Sequence, residues 1–441
     1  MLKKIVLAVI SFVLIFSLCG CNFFKTDMAE LFSPPTLTGD FKYISQVIKK
    51  TAGTGYTLKY PVRGEHRSAV VQYDIDGDKK NEAFAFYSKT DGDVTTMTVQ
   101  IIRNKNGEWI DGGTQTIIAA GVDMVQFCDL DNDGICEILV GWQVYGTSEM
   151  QLAVYSYSEN TFVQRLLQKY THFLTCDLNG DKKSGVLIID INTTKQYNTA
   201  ALFSLNDDGV VQTGICELDS KIQSASAPIV SELSNGKTAI YIDAVKGVGA
   251  VTEVLIEERG GLTNPLFDAA TRENIRTLRS SSYTVSDING DGILEIPVQE
   301  NVPSVASDDL AEKLYLKNWC QFDGENLTVQ TTAMINMLDG YYFVIPTKWR
   351  NRIAVFKDTA NRIREIYLYD NNGATVGESL ICIRVFDRKS WDDGSFNDLR
   401  MNEIARDGKT VYAYRLNDAI IDLGITHSDV KKSFVLIEKE S

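Results

Sequence analysis

The sequence predicts an all-β propeller followed by a small α+β domain. Three observations carry that expectation. Four short acidic runs recur along the chain, each is flanked by apolar segments of strand length, and the recurrence stops near residue 333 while the strand pattern continues.

The runs are Asp74-Ile-Asp-Gly-Asp-Lys-Lys-Asn-Glu82, Asp129-Leu-Asp-Asn-Asp-Gly-Ile-Cys-Glu137, Asp177-Leu-Asn-Gly-Asp-Lys-Lys-Ser-Gly185 and Asp287-Ile-Asn-Gly-Asp-Gly-Ile-Leu-Glu295. Their first residues lie 55, 48 and 110 positions apart, and Glu232-Leu-Ser-Asn-Gly-Lys237 falls midway in the last gap as a decayed copy. A period near 50 residues belongs to a propeller, solenoid or array.

The runs carry cation chemistry. Oxygen side chains at loop positions 1, 3 and 5, a carbonyl at 7 and a carboxylate at 9 offer a hard ion, calcium above all, the ligands it prefers. The candidate ligands are Asp74, Asp76, Asp78 and Glu82; Asp129, Asp131, Asp133 and Glu137; Asp177, Asn179 and Asp181; and Asp287, Asn289, Asp291 and Glu295. Gly185 deprives the third loop of its ninth-position carboxylate. An EF-hand would place a bidentate Glu at position 12, where Ala85, Val140 and Val298 stand, and its flanks would be helical.

Here the flanks read as strands. Val70-Val-Gln-Tyr73 enters the first loop and Ala83-Phe-Ala-Phe-Tyr87 leaves it, and Val125-Gln-Phe-Cys128 and Ile138-Leu-Val-Gly141 do the same at the second. Met97 to Ile102 and Thr114 to Ile118 add two more strands before the next loop, and four short strands per repeat make a propeller blade. Five blades are readable; six or seven are left open. Phe41 to Lys50 has helical spacing, and Thr57 to Tyr60 is expected to close the ring against the last blade, because an open ring leaves a bare edge. Pro297 sits awkwardly in the fifth blade, since proline cannot donate to a ladder.

These loops resemble the FG-GAP or VCBS-type repeats of integrin-alpha-like β-propellers over roughly residues 67 to 335. The resemblance implies calcium ions that brace blades and partner binding on a propeller face.

At the N-terminus, Lys3 and Lys4 precede a 14-residue apolar stretch from Ile5 to Leu18, the length of a signal peptide. Leu18-Cys19-Gly20-Cys21 resembles a bacterial lipobox, which implies cleavage after Gly20, lipidation of Cys21 and a membrane-anchored protein outside the cytoplasm. The expected organisation is a signal peptide over 1–20, a lipidated tether over 21–40, the calcium-binding propeller over 41–332 and the α+β domain over 333–441. That last segment offers strands at Ile353–Phe356, Glu365–Tyr369, Ser379–Phe386 and Val411–Tyr414, and a short helix from Thr426 to Lys432.

A formal charge of -14 argues against nucleic acid as a partner. The six cysteines from Cys128 to Cys382 read mostly as free thiols, with Cys128 and Cys136 the pair that would bridge if any did. Three histidines, His66, His172 and His427, form no metal or triad pattern. Arg272, Arg276 and Arg279 stand at helical spacing, and Trp142 and Trp319 offer aromatic surface; solvated charge and inter-blade packing are the preferred readings. The expected function is noncatalytic binding of an envelope component, glycan or protein partner at the cell surface. The alternatives are an extracellular polysaccharide-active enzyme built on a carboxylate pair, or a structural part of a membrane-associated assembly.

Overall fold

The computed structural model describes residues 39–437, apart from 93, 159–160, 207–208, 281–282, 305–314, 371, 373 and 418–422. The expected signal peptide, nearly all of the tether and Cys21 lie outside the described residues. No helix among the described residues is long and apolar enough to cross a membrane.

Six antiparallel sheets follow one another along the chain. The first contains Tyr56–Leu58, Val70–Tyr73, Glu82–Asp91, Val94–Lys105 and Glu108–Ile117. The second is Gly121–Cys128, Glu137–Gln143, Met150–Ser158 and Thr161–Tyr170, and the third is His172–Cys176, Gly185–Asp190, Asn198–Asn206 and Gly209–Leu218, each a four-stranded meander. The fourth is built around Thr238–Lys246 and Gly249–Glu258, and the fifth begins with Ile296–Asn301, Tyr315–Phe322 and Leu327–Asn336.

The inner strands Glu82–Asp91, Glu137–Gln143, Gly185–Asp190 and Thr238–Lys246 are buried on both faces over most of their length, which explains why they read as unbroken apolar runs rather than as alternations. Because successive side chains point to opposite faces, Val140 and Trp142 pack with Phe84, Phe86 and Val99 of the first sheet. Leu139 turns the other way, toward Val186, Ile188 and Phe203 of the third. Leu187 and Ile189 then meet Ile240 and Ile242 of the fourth, whose Tyr241 and Val254 meet Ile296 and Phe322 of the fifth. This face-to-face succession of antiparallel blades is the propeller the sequence predicts.

The ring-closing strand is not where it was expected. Tyr56–Leu58 pairs with Lys89, Ser88 and Tyr87 inside the first sheet. The outer face of that sheet is instead covered by helix α1, Asp40–Ala52, whose Ile44, Ile48 and Ala52 recur every fourth residue and pack with Ala83, Ala85 and Tyr87. No hydrophobic cluster among the described residues joins the first sheet to the sixth. Pro297 is accommodated because Ile296–Asn301 lies at a sheet edge, paired on one side only, with Trp319 opposite the proline.

The C-terminal segment forms the sixth sheet from Ile353–Asp358, Ile363–Asp370, Thr375–Asp387, Asn402–Asp407 and Thr410–Leu416, with helices α2, Arg388–Asp392, and α3, His427–Ser433. Thr426 and Asp429 cap α3 reciprocally, at 3.1 and 2.9 Å. The expected boundary at 332/333 falls inside strand Leu327–Asn336. The fifth sheet continues through Tyr341–Val344 to Phe434–Leu436, so the last strand among the described residues returns to it. Tyr341 and Phe343 share one core with Ile366, Ile381 and Tyr414 of the sixth sheet.

Candidate functional site

In the first sheet the acidic loop joins Val70–Tyr73 to Glu82–Asp91, in the second and third it joins the first strand to the second, and the fifth-sheet loop spans the Ser286–Glu295 bridge. The decayed copy, Glu232 to Lys237, turns between Ile229–Glu232 and Thr238–Lys246 at the corresponding place in the fourth sheet.

All four loops share one hydrogen-bond scheme. The residue-6 N–H donates to the residue-1 carboxylate: Lys79 to Asp74, Gly134 to Asp129, Lys182 to Asp177 and Gly292 to Asp287, at 2.8 to 2.9 Å. The residue-7 N–H donates to the residue-5 carboxylate, for example Ile135 to Asp133 at 2.7 Å and Ile293 to Asp291 at 2.9 Å. Positions 4 and 6 are left-handed throughout, at Gly77 and Lys79, Asn132 and Gly134, Gly180 and Lys182, and Gly290 and Gly292. Three of these eight are not glycine, so the loops hold a conformation that ordinary residues adopt at a cost.

The scheme wraps oxygens around a centre. One carboxylate oxygen each from Asp74, Asp76 and Asp78 lies within 4.8 Å of the others, and the same holds for Asp129, Asp131 and Glu137 and for Asp287, Asp291 and Glu295. Asp133 and Asn289 stand beside their groups. Asn289 donates to Asp291 and Glu295, both at 3.0 Å. Among the described residues, Asp177, Asn179 and Asp181 form no such group of three. That loop offers two carboxylates, Asp177 and Asp181, with Asn179 at its third position, and at its ninth position a Cβ on Gly185 would lie 2.7 Å from Leu202 Cδ1, so Leu202 fills the place a glutamate would take.

The ninth-position glutamates are the part of the site whose burial the sequence did not reveal. Glu82, Glu137 and Glu295 are buried beneath their loops. Each accepts the residue-2 N–H, from Ile75 at 3.3 Å, Leu130 at 3.1 Å and Ile288 at 2.9 Å. Burial pushes Glu82 and Glu137 up to about 7, the loop aspartates adding to the effect, and raises Glu295 as well. Asp74 Oδ1 is buried with no hydrogen-bond partner. Lys80 approaches Asp78 at 3.7 Å, and the clustered, partly buried carboxylates fit a hard cation held by oxygen.

Antiparallel alternation puts these loops at one end of the blades and the turns between second and third strands at the other. That other end carries two adjoining clefts, one of about 1090 Å³ and one of about 550 Å³, which share Thr193. The larger lies across the third, fourth and fifth sheets, over the Gly247-Val248-Gly249 turn. In the smaller, Arg63 holds Asp123 through two bonds of 2.7 Å, Tyr170 donates to the same carboxylate, and Lys169 pairs with Glu149 at 2.6 Å. Burial raises the pKa of Asp190, whose carboxylate makes no hydrogen bond or ion pair among the described residues.

Other candidate residues scatter. Arg272, Arg276 and Arg279 are not on a helix: they reach Glu217, the Glu325 carbonyl and buried Asp243 separately. Trp142 is fully buried against Phe86. His66 packs on Phe127, His172 bonds the Ala225 carbonyl at 2.8 Å and His427 the Tyr414 hydroxyl at 2.7 Å. All six described cysteines are free thiols.

No protein-family model and no curated protein matches the chain. Solved structures similar to parts of it include a Lactobacillus plantarum protein (10% identity, 72% of this chain and 84% of that one, TM-score 0.30). Others are a Bacillus licheniformis rhamnogalacturonan lyase (11%, 82% and 90%, TM-score 0.29) and an exo-beta-1,3-galactanase from Phanerochaete chrysosporium (8%, 75% and 79%, TM-score 0.26). At such scores the assignment of the fold rests on sheet order and inter-sheet cores, which make this chain a β-propeller carrying an α+β segment at its C-terminal end.

Proposed function

We propose that the chain is a noncatalytic binding protein of the cell surface, a propeller of the FG-GAP type whose loops hold calcium on one face while the other face takes a ligand: an envelope component, a glycan or a protein partner. The observation that carries this reading is the segregation of the two ends of the blades. Every acidic loop stands at one end, and the two adjoining clefts open at the other. The first, second and fifth-sheet loops supply calcium with carboxylates from Asp74, Asp76, Asp78 and Glu82, from Asp129, Asp131, Asp133 and Glu137, and from Asp287, Asp291 and Glu295. Lipidation at Cys21 would hold the protein to the outer face of the membrane.

A polysaccharide-active enzyme is the second reading, favoured by three carboxylates lining the smaller cleft. A glycoside-cleaving pair needs two carboxyl groups available to substrate. Asp123 and Glu149 are each committed to a cation, which leaves Asp190 alone. Incubating the full-length protein with polysaccharides separates the two readings. Ligand retention without release of reducing ends or unsaturated products supports binding, and product release overturns it.

A further inference from the structure

We infer that the larger cleft is a subsite for an uncharged oligosaccharide; this rests on the binding reading above and names its ligand class. No carboxylate lines the cleft among the described residues, so nothing there can act as the acid or base of glycoside cleavage. Three basic residues do line it, and each is paired with an acid. Lys246 bonds Asp219 at 2.6 Å and Glu273 at 2.8 Å, Arg279 bonds Asp243 at 2.6 Å, and Lys221 pairs with Glu273. With those charges matched, recognition falls to hydroxyls and amides and to carbon surface.

Both are present. Gln299 Oε1 accepts from Lys317 Nζ at 2.7 Å and from the hydroxyl and backbone N–H of Ser280 at 3.1 and 3.3 Å. An ammonium and a backbone N–H can only donate, so the atom facing them is the carbonyl oxygen and the amide NH2 is turned away from them. That NH2 has no protein partner among the described residues, and Gln299 lines the cleft, so a donor is fixed there before any ligand arrives. Val248, Ile275, Leu278 and Tyr315 are all exposed around the same cleft. Aliphatic and aromatic surface beside fixed amides and hydroxyls suits a sugar ring, which has C–H faces and a hydroxyl edge. The neighbouring cleft, joined through Thr193, gives a longer chain room to continue.

The test is calorimetric titration of the full-length protein, with calcium present, against neutral hexasaccharides of glucose, galactose and mannose and against uronic-acid hexasaccharides. Gln299→Glu, which keeps the acceptor for Lys317 and Ser280 but loses the NH2 donor, and Tyr315→Ala are measured in parallel, with melting temperature as the control for folding. Saturable binding of a neutral hexasaccharide, weakened roughly tenfold by each variant at unchanged melting temperature, is the expected result. Preference for uronates sinks the inference, since the cleft would then read charge. Neutral binding indifferent to both variants sinks it too, by placing the site elsewhere. If no saccharide binds but a crosslinked protein maps to this face, the inference fails while noncatalytic binding stands. Release of reducing ends overturns the binding reading itself.

Discussion

Glu137 accepts the backbone N–H of Leu130 at 3.1 Å, closing the acidic loop from below with a carboxylate that is buried and has Asp131 and Asp133 for neighbours. Glu82 and Ile75 repeat the relationship one blade earlier. A loop of this kind is held together by the acids that repel one another unless a cation sits among them.

The pH dependence follows from that. Glu82 and Glu137 move from 4.5 in the unfolded chain to about 7 when folded without cation, so the folded state binds protons more tightly. Their contribution to stability is therefore lost as pH rises from about 4.5 to about 7. In chelator, the melting temperature should fall between pH 5 and pH 8 more steeply than in saturating calcium. Addition of calcium near pH 6 should release protons, measurable with a weakly buffered indicator. Parallel melting profiles with and without calcium would remove the loops from consideration as ion sites.

Ligand removal should be selective. Asp76→Ala, Asp131→Ala and Asp291→Ala should each abolish part of the calcium-induced rise in melting temperature, which for a site at ten times its dissociation constant is worth about 1.4 kcal/mol. Asp181→Ala, in the loop whose ninth position is filled by Leu202, should leave the calcium increment unchanged. A loss in Asp181→Ala equal to the others would show that the missing glutamate is dispensable.

Two lysines carry left-handed backbone. Lys79 and Lys182 have φ of 68° and 71° at the sixth position, where the other two loops have Gly134 and Gly292. Lys79→Gly and Lys182→Gly should each stabilise the protein by about 0.5–1 kcal/mol, relief of the left-handed strain exceeding the entropic cost of glycine. Asn132, of a type that tolerates this conformation, should gain less. Denaturant unfolding measures all three, and a loss of stability in the lysine variants would contradict the strain argument.

The fourth sheet carries no acid cluster at its loop but has its own internal cation at the opposite end. Lys246 is buried against Asp219, whose side chain has no exposure at all. Lys246→Met leaves that carboxylate buried and unpaired and should cost about 3–5 kcal/mol. Restoring much of the loss with Asp219→Asn in the same chain would confirm that the unpaired charge, rather than lost packing, is the cause.

Gly141 is irreplaceable for a local reason. A Cβ there would overlap the hydroxyl of Tyr170, which binds Asp123. Gly141→Ala should displace Tyr170 and loosen the Arg63–Asp123 pair, with a loss of about 2–3 kcal/mol. A melting temperature unchanged from the parent would mean that the ring shifts freely.

Much of this was legible in the sequence because the loops write their chemistry in consecutive residues. Positions 1 to 9 of each run declare the oxygens, and the apolar runs of length four to six after them declare strands buried on both faces. What escaped was non-local. That Thr57 pairs with Ser88 rather than with the last blade depends on a partner 31 residues away that many strands would match equally well. The arginine spacing at 272, 276 and 279 imitated a helix in a segment whose geometry is set by three separate acceptors. The clefts arise between four different sheets, the second to the fifth, and no stretch of sequence announces them.

The return of Phe434–Leu436 to the fifth sheet has a bearing on how the protein is made. Translation delivers the first four blades in order, each with its neighbour at hand, and they can collapse one upon another as they emerge. The fifth cannot be finished in that way. Its outer strand, Tyr341–Val344, pairs on one side with Phe434–Leu436, Tyr341 standing opposite a residue 95 positions later in the chain. Synthesis must therefore run through the whole of the sixth sheet before that edge is covered. Until then the nascent chain displays an unpaired strand beside the apolar residues of a half-built core, which makes synthesis of the sixth sheet the interval of greatest exposure to misassembly.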